Sequence, residues 1–396
     1  MFNRKEKVIL ALMSAVHFCL IVDFMVVMPQ GPQLMRSLGI SAARFGLLVS
    51  AYTFGAGVLS LAASFFIDRF NRKPALLAAV AGFAVCNLLC AVSSGYDQLF
   101  VARGVTGAFG GVVGSLLFSI VSDAIDLKRR ASALGLVMSA FAVASIVGVP
   151  LCLMLSNRWG WQASFYFLAV VTTLIGVALQ LWLPSLGGHL DATASRAITR
   201  FRKLLFHPSR GLALAFMSFL ILGHFTIIPF LFPSVVANAG ITEARLPVIY
   251  LVGGAASIVS TVLFGKLADR HGKKLVFAVA LLASLAPIYL VTHLRPMPLW
   301  GAVAIVSSFF VLMGGRLTPA TALVTSTVLP QSRGAFMSLV GSVQQLSAAL
   351  AAFVAGRLVT KAPDGSLHGF ADVGYLAVGF SLVALALSTT IVSEEK

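Results

Sequence analysis

Several ionisable side chains lie inside long apolar stretches of this sequence, among them Asp23, Arg103, His224 and Arg316. Ionisable residues are rare inside membrane-spanning segments and usually face a cavity or a partner, so each is a candidate functional residue. A carboxylate can bind and release a proton, and histidine is the side chain that titrates nearest neutral pH. Arginine stays protonated and can hold a polar or anionic group. The chemistry that these residues indicate is proton transfer together with the binding of a polar solute.

Asp23 and Arg103 are predicted to lie at a similar depth. Asp23 is about 15 residues from the inner end of the first apolar run, and Arg103 is about six residues from the outer end of the fourth. At a rise of about 1.5 Å per residue, both fall in the outer half of a bilayer and are candidate ion-pair partners. The arginine would favour the charged carboxylate and burial the neutral one, a competition that allows a protonation switch. The alternative is a permanent ion pair that locks the two helices together.

The composition indicates that membrane-spanning helices position these residues. Hydrophobic residues make up 59% of the 396-residue chain and charged residues only 11%, and the mean hydropathy is +0.96. A water-soluble domain has about 25% charged residues, so we expect the chain in a bilayer. A span needs roughly 20 mostly apolar residues. Twelve such runs lie near residues 8–29, 44–67, 74–93, 97–122, 132–155, 163–184, 211–237, 246–268, 275–293, 299–328, 334–358 and 370–392.

The basic residues set the predicted orientation. A net charge of +16 would favour a nucleic-acid partner if the basic residues formed a patch on a soluble domain, but most of them lie between apolar runs. Placing the N-terminus in the cytosol puts 20 of the 29 lysines and arginines on the cytosolic side, as the positive-inside rule favours. The sequence therefore predicts a multi-pass protein of the bacterial inner (plasma) membrane with both termini cytosolic and no nucleic-acid partner.

The longest hydrophilic stretch, residues 185–210, divides the twelve runs into six and six. It predicts a cytosolic linker between an N-terminal six-helix bundle (1–184) and a C-terminal six-helix bundle (211–396). Its segment 196–206 could form an amphipathic helix that lies on anionic lipid headgroups.

A charged motif occurs twice, once in each half of the chain. Residues 64–73 (SFFIDRFNRK) and 265–274 (GKLADRHGKK) share a frame of small-x-x-x-Asp-Arg-x-turn-basic-Lys between two apolar runs. The first copy has Asn71 at the turn where the second has Gly272, and asparagine tolerates the left-handed backbone that such a turn needs. Internal repeats in a hydrophobic chain are typical of secondary transporters.

Two further motifs lie in the fourth and fifth runs. Residues 99–111 (LFVARGVTGAFGG) place Arg103 before small residues at helix-packing intervals, which allow a neighbouring helix to approach closely. Residues 145–152 (SIVGVPLC) contain Gly148 and Pro150, and such a pair can bend a membrane helix.

These motifs and the two related halves resemble the major facilitator superfamily, and within it the 12-span drug:proton antiporter branch of arabinose-efflux-permease-like exporters. The resemblance implies an all-α membrane protein with twelve transmembrane helices in two pseudo-symmetric six-helix bundles around a central cavity. The motif that contains Arg103 is associated in that family with proton coupling, and Asp23, Arg103 and His224 are the candidates for this role. His224 could instead contact substrate or be a neutral histidine bonded to a neighbouring helix. On an ideal helix, Gln30 shares a stripe with Asp23. Candidates for the substrate cavity are Gln30, Thr106, Phe225, Thr226, Arg316, Gln344 and Gln345.

The doubled motif is expected to act as a conformational latch between cytosolic helix ends. Asp68 could offer its carboxylate to helix N-terminal NH groups or to Arg72, while the basic residues meet anionic lipid. The alternative is that the charges only set topology. The proposed latch residues are Asp68, Arg69, Arg72, Lys73, Asp269 and Arg270. Gly148 and Pro150 are expected to form a helix bend that seals or opens the outer vestibule, with an ordinary proline kink as the alternative.

Three classes of function remain. The first is a proton-coupled transporter that exports small amphiphilic compounds, drugs or sugars by alternating access. The second is a facilitator, uptake carrier or lysolipid transporter of the same fold, and the third is a non-transporting membrane receptor. No nucleophile-base set and no metal-ligand spacing of Cys or His occurs, so we expect no enzymatic activity, cofactor or metal. The expected partners are a small-molecule substrate, protons and membrane lipid, and the chain is expected to be a monomer.

Overall fold

Helices long and apolar enough to cross a membrane make up nearly all of the structure. This computed structural model describes residues 2–66, 70–184, 208–328, 333–363 and 365–391. Within these ranges there are twelve spans, so the predicted all-α fold with twelve transmembrane helices is confirmed. In chain order, spans 1 to 12 are Arg4–Val26, Ala42–Ala63, Arg72–Val92, Tyr96–Ala124, Ser132–Trp159, Gln162–Trp182, Ser209–Ala237, Glu243–His271, Lys273–Thr292, Leu299–Thr325, Phe336–Leu358 and Phe370–Thr390.

The two copies of the charged motif differ in the backbone conformation of their turn residue. Asn71 has φ −60° and lies in the extended region, where its side-chain oxygen accepts a hydrogen bond from the Lys73 backbone N–H and caps span 3. Gly272, at the matching position, has φ +92°. The expectation of a left-handed Asn71 is therefore wrong, because a side-chain cap at a helix N-terminus requires an extended backbone.

Two spans are interrupted within the membrane segment. Span 5 is formed by the end of a helix Leu127–Met138, which begins before the span, and then by a short helix Ala140–Val143, a π-helical segment Ala144–Gly148 and a final helix Val149–Trp159. Span 7 consists of Pro208–Phe225 and Ile228–Ala237. In both spans the later helix has a proline in its first two positions, Pro150 and Pro229, where the missing N–H costs no intrahelical bond.

Short elements connect the spans. A helix Gly31–Ser37 follows span 1, and a two-stranded antiparallel hairpin, Thr360–Lys361 with Leu367–His368, joins spans 11 and 12. The Asn238 side chain fixes the hairpin, because its Oδ1 accepts from Leu367 N at 2.8 Å and its Nδ2 donates to Leu367 O at 3.0 Å. Nothing in the hydropathy pattern predicts this hairpin.

The described residues pack as two compact units. The first contains the residues up to Val26 and those from Ala51 to 184, and the second contains Val27–Ser50 and the residues from 208 onward. Most of the predicted linker, residues 185–207 with its segment 196–206, lies outside the described residues.

Residues Val27–Ser50 are held to the rest of the second unit by close contacts. Ser50 Oγ donates to the carbonyl of Ala349 in span 11 at 2.8 Å. A side chain on Gly46 would overlap the backbone of Gly356, so the two helices touch through glycine. Arg36 donates to both carboxylate oxygens of Glu243, at 2.7 and 3.0 Å, and this carboxylate raises the pKa of the Arg36 guanidinium.

Candidate functional site

The structure brings Asp23 of span 1 and Arg103 of span 4 together inside the first unit. Arg103 Nη1 lies 2.7 Å from Asp23 Oδ1, and Arg103 Nη2 donates to the main-chain carbonyl of Asp23 at 3.3 Å. The side chains are 0% and 2% exposed. Two charges this deeply buried pay a large desolvation cost, which their mutual attraction must offset.

Span 2 encloses the ion pair. The Tyr52 ring covers the Arg103 guanidinium at 4.3 Å, and the Phe165 ring of span 6 lies 5.6 Å from it. This cover depends on small residues, because a side chain on Gly107 would overlap the Tyr52 carbonyl oxygen and one on Gly111 would overlap the Ala56 carbonyl oxygen. Because Gly107 and Gly111 have no side chain, span 2 packs close enough to span 4 for the Tyr52 ring to contact Arg103.

The ion pair is incompletely satisfied. Among the described residues, Asp23 Oδ2 and Arg103 Nε have no hydrogen-bond partner. A buried carboxylate oxygen without a donor leaves part of the desolvation cost of the charged group uncompensated, whereas protonation of Asp23 would leave Arg103 without its countercharge. The arrangement is therefore chemically able to switch between a paired carboxylate and a neutral acid.

The interrupted part of span 5 packs beside Asp23. A side chain on Gly148 would overlap Val22 and Phe18 of span 1, so the π-helical segment lies directly against the turn that precedes Asp23. Ser145 Oγ also lies 3.9 Å from the Met25 sulfur. π-helical turns inside α-helices are frequent at functional sites.

The second unit contains a buried arginine of a different kind. Arg316 of span 10 is 0% exposed, and its Nη1 donates to Ser381 Oγ of span 12 at 2.9 Å and to Ser284 Oγ of span 9 at 3.3 Å. Its Nε and Nη2 have no hydrogen-bond partner among the described residues. No carboxylate in that part of the chain lies within ion-pair distance of it.

His224 packs among aromatic rings near the end of the first helix of span 7. Its ring lies 6.2 Å from Phe309 of span 10 in an edge-to-face arrangement and 5.3 Å from Phe225. Thr226 is buried at the helix break, with its hydroxyl bonded to the Leu222 carbonyl. The structure thus places His224 and Asp23 in different units.

The remaining cavity candidates are dispersed. Span 1 ends at Val26, so Gln30 does not share a helical stripe with Asp23; the residues after Val26 form a turn, and Gln30 precedes the helix that begins at Gly31. Thr106 is buried one turn after Arg103, and its hydroxyl donates to the Ala102 carbonyl at 2.6 Å. Gln344 and Gln345 are both partly buried on span 11.

The latch candidates are only partly described. Asp68 and Arg69 lie outside the described residues. Arg72 Nε pairs with Asp123 Oδ2, at the end of span 4, at 3.0 Å. In the second copy, Asp269 and Arg270 are exposed and make no ion pair with any described residue.

The final lysines of the two motif copies make equivalent contacts. Lys73 Nζ donates to the Gln180 carbonyl in the last turn of span 6 at 2.9 Å, and Lys274 Nζ donates to the Thr389 carbonyl in the last turn of span 12, also at 2.9 Å. A cation at a helix C-terminus satisfies a free carbonyl and complements the helix dipole. Lys73 therefore links the end of span 6 to the start of span 3, and Lys274 links the end of span 12 to the start of span 9.

We expect Lys73→Met and Lys274→Met each to lower the free energy of unfolding by about 0.3–1 kcal/mol, because each removes one cation from a helix C-terminus. The two effects should add in the double variant, since the lysines lie in separate units. Thermal unfolding of the purified protein measures this, with Lys266→Met as the control because Lys266 is an exposed lysine of the same motif. An equal loss in the control would rule out the helix-end contacts as the cause.

Several site residues have no distinguishing sequence signal. Tyr52 lies in an ordinary apolar run, and Ser284 and Ser381 resemble the other small polar residues of membrane helices. Asp123, a carboxylate at the end of an apolar run, is a signal that could have been used. Within the described ranges, no group of three His, Cys, Asp or Glu side chains could hold a metal ion.

Comparison with known proteins gives consistent matches over the chain. A sequence model of the Major Facilitator Superfamily matches residues 13–352. The multidrug resistance protein MdtL of Shewanella sp. (strain ANA-3) is 25% identical over 372 residues, which cover 92% of each chain. The "Uncharacterized MFS-type transporter YceJ" of Bacillus subtilis (strain 168) is 21% identical over 382 residues, which cover 96% of this chain and 95% of the relative.

Solved structures share the fold at low sequence identity. A bacterial homologue of the human lysosomal transporter Spinster, in an inward-facing and occupied conformation, has a TM-score of 0.79 at 16% identity and covers 99% of this chain and 97% of its own. A D-xylose-proton symporter has a TM-score of 0.78 at 15% identity and covers 98% of both chains.

Proposed function

Because this chain belongs to the major facilitator superfamily, whose members carry small molecules across membranes, we propose that it is a proton-coupled secondary transporter that exports small amphiphilic compounds, drugs or sugars by alternating access. Membership in a family of transporters confirms the prediction that the chain is not an enzyme. It also confirms a multi-pass membrane protein. The bacterial inner membrane and cytosolic termini are part of the proposal.

The observation that carries the proton coupling is the buried, incompletely satisfied pair of Asp23 and Arg103. When Asp23 binds a proton, Arg103 loses its countercharge in a site from which water is excluded. The cost of that lone charge favours a rearrangement of the surrounding helices that hydrates or re-pairs the guanidinium. Proton binding and release would thereby be linked to helix movement around span 1.

The π-helical segment of span 5 is positioned to respond to that change. Gly148 packs on Val22, the residue before Asp23, and Pro150 is the second residue of the helix beyond the segment. A helix that is already interrupted can bend there at a lower cost than a continuous one, because fewer backbone hydrogen bonds must break. We propose that this segment transmits the state of Asp23 to the outer end of span 5.

The latch and the cavity candidates complete the proposal. The doubled motif would act at the cytosolic helix ends through Asp68, Arg69, Arg72, Lys73, Asp269 and Arg270. His224 would serve proton coupling together with Asp23 and Arg103. Substrate would meet Gln30, Thr106, Phe225, Thr226, Arg316, Gln344 and Gln345. Export is supported by the resemblance of the motifs, residues 145–152 among them, to the drug:proton antiporter branch and by the relative named as a multidrug resistance protein. Uptake by symport is the second candidate, because a structural neighbour is titled a D-xylose-proton symporter.

Everted vesicles loaded with a pH-sensitive dye distinguish these possibilities. We expect proton release from acidified vesicles when a transported amphiphile is added, and no release from vesicles that lack the protein. Substrate accumulation without proton movement would instead establish a facilitator. Uptake that is driven only by a proton gradient in the opposite direction would establish a symporter.

A further inference from the structure

The two buried arginines of this chain differ in how their charge is compensated. Arg103 has the carboxylate of Asp23 at 2.7 Å. Arg316 is equally buried but, within the described part of the chain, its guanidinium contacts two hydroxyl groups and no carboxylate. A hydroxyl oxygen can accept a hydrogen bond but carries no charge. The positive charge of Arg316 therefore lacks the compensation that a buried ion ordinarily needs.

The unsatisfied atoms of Arg316 lie on one edge of the guanidinium. Ser284 and Ser381 both contact Nη1, and the Nε–H and the two Nη2–H groups have no partner among the described residues. The Nε and Nη2 atoms of one guanidinium donate in parallel, in a geometry that matches two oxygens of a carboxylate, sulfonate or phosphate. The two serines fix Nη1 and so hold this free edge in one orientation.

Aromatic rings lie along the helix face that carries Arg316. Phe309 lies seven residues before Arg316 on span 10, hence on the same helical face and about 10 Å away along the axis. His224 packs edge-to-face on Phe309, and Phe225 lies against His224. An anionic group held at Arg316 would have an apolar and aromatic wall beside it.

We infer that the second unit binds an amphiphilic organic anion, with its negatively charged group on the Nε and Nη2 edge of Arg316 and its apolar body toward Phe309 and His224. This inference rests on the proposed transport function, and it specifies the charge class of the substrate. Bound anion would supply at Arg316 the countercharge that Asp23 supplies at Arg103 and that no described residue supplies at Arg316. Such a site selects anions over neutral isosteres because only an anion neutralises the buried guanidinium.

Thiol labelling next to Arg316 tests the site without knowledge of the substrate. The four native cysteines, Cys19, Cys86, Cys90 and Cys152, are first replaced by alanine. Ser381→Cys then places a thiol at the position that contacts Arg316 Nη1. The probes are two methanethiosulfonate reagents of similar size, one carrying a sulfonate and the other a trimethylammonium group. Arg316 also affects the reactivity of the thiol itself, but this effect is the same for both reagents. It therefore cancels in the ratio of the two reaction rates.

We expect the sulfonate reagent to react at least tenfold faster than the ammonium reagent, and the ratio to fall to about one when Arg316→Gln is added. The matched control is Arg295→Gln, which removes an exposed arginine from the same unit and should leave the ratio unchanged. Ser284→Cys provides a second thiol position if Ser381→Cys does not fold. A ratio independent of Arg316, or no reaction with either reagent in a folded protein, would overturn the anion site.

Two lipid compositions identify the source of the anion. If phosphatidylglycerol vesicles protect the thiol and phosphatidylcholine vesicles do not, an anionic lipid headgroup occupies the site. Equal labelling in both assigns it to a soluble organic anion. Proton release in everted vesicles is measured separately, so a charge-independent labelling ratio would reject the anion site while leaving proton-coupled transport intact.

Discussion

Asp23→Asn is expected to abolish transport driven by a proton gradient while substrate exchange across the membrane persists. The amide keeps the size of the carboxylate but cannot bind and release a proton in the transport cycle. Its effect on stability should also be large, because removal of one partner of a buried ion pair leaves an uncompensated charge and costs about 3–5 kcal/mol. Both partners are at most 2% exposed, so solvent cannot screen the charge that remains.

The measurements are substrate efflux with and without an imposed pH gradient, together with thermal unfolding of the purified variant. The double variant Asp23→Asn/Arg103→Gln separates the two effects. It has no buried charge at this position, so we expect it to regain stability relative to the single variant but not proton coupling. Full gradient-driven efflux by Asp23→Asn would show that the ion pair only holds spans 1 and 4 together.

Gly107→Ala is expected to destabilise the first unit severely. A methyl group at this position would overlap the carbonyl oxygen of Tyr52, a backbone atom that cannot rotate away. Spans 2 and 4 would have to separate, and overpacking of this kind typically costs about 1–3 kcal/mol. The separation would also lift the Tyr52 ring from Arg103, so transport should fall further than the loss of folded protein explains.

Gly114→Ala is the matched control for this substitution. It lies on the same span, two turns further along, and a methyl group there meets no atom of another described helix within 4 Å. Alanine favours a helix over glycine by about 1 kcal/mol, so this variant should be as stable as the parent or slightly more stable. The comparison requires thermal unfolding of both variants at equal protein concentration. Equal midpoints would mean that spans 2 and 4 are not packed through Gly107.

The features that depend on local composition can be predicted from the sequence alone. Span length and hydropathy are set by about 20 consecutive residues, so twelve spans could be counted without any contact between them. The cost of a charge in an apolar run is also local, which is why Asp23, Arg103, His224 and Arg316 were identified as candidates. The motifs at 64–73 and 265–274 indicated two related halves and the family.

Which of the candidate residues contact each other depends on the tertiary structure. Depth in the membrane made Asp23 and Arg103 candidate partners, but their contact depends on the rotation of spans 1 and 4 about their axes. Arg316 meets two hydroxyls because spans 9, 10 and 12 turn Ser284 and Ser381 toward it. No linear pattern encodes such rotations, since they result from the packing of all neighbouring helices at once.

The ends of helices also depend on tertiary packing more than on the local hydropathy pattern. The stripe that joined Gln30 to Asp23 assumed an unbroken helix, whereas span 1 ends at Val26 and Val27–Ser50 packs with the second unit. The Gly46 and Gly356 backbones touch there although they are far apart in the chain. A helix ends where turning the chain allows better packing than continuing it, and that balance depends on residues far away in the sequence. The sequence therefore determined which helices form, and the packing between them decided which side chains share a site.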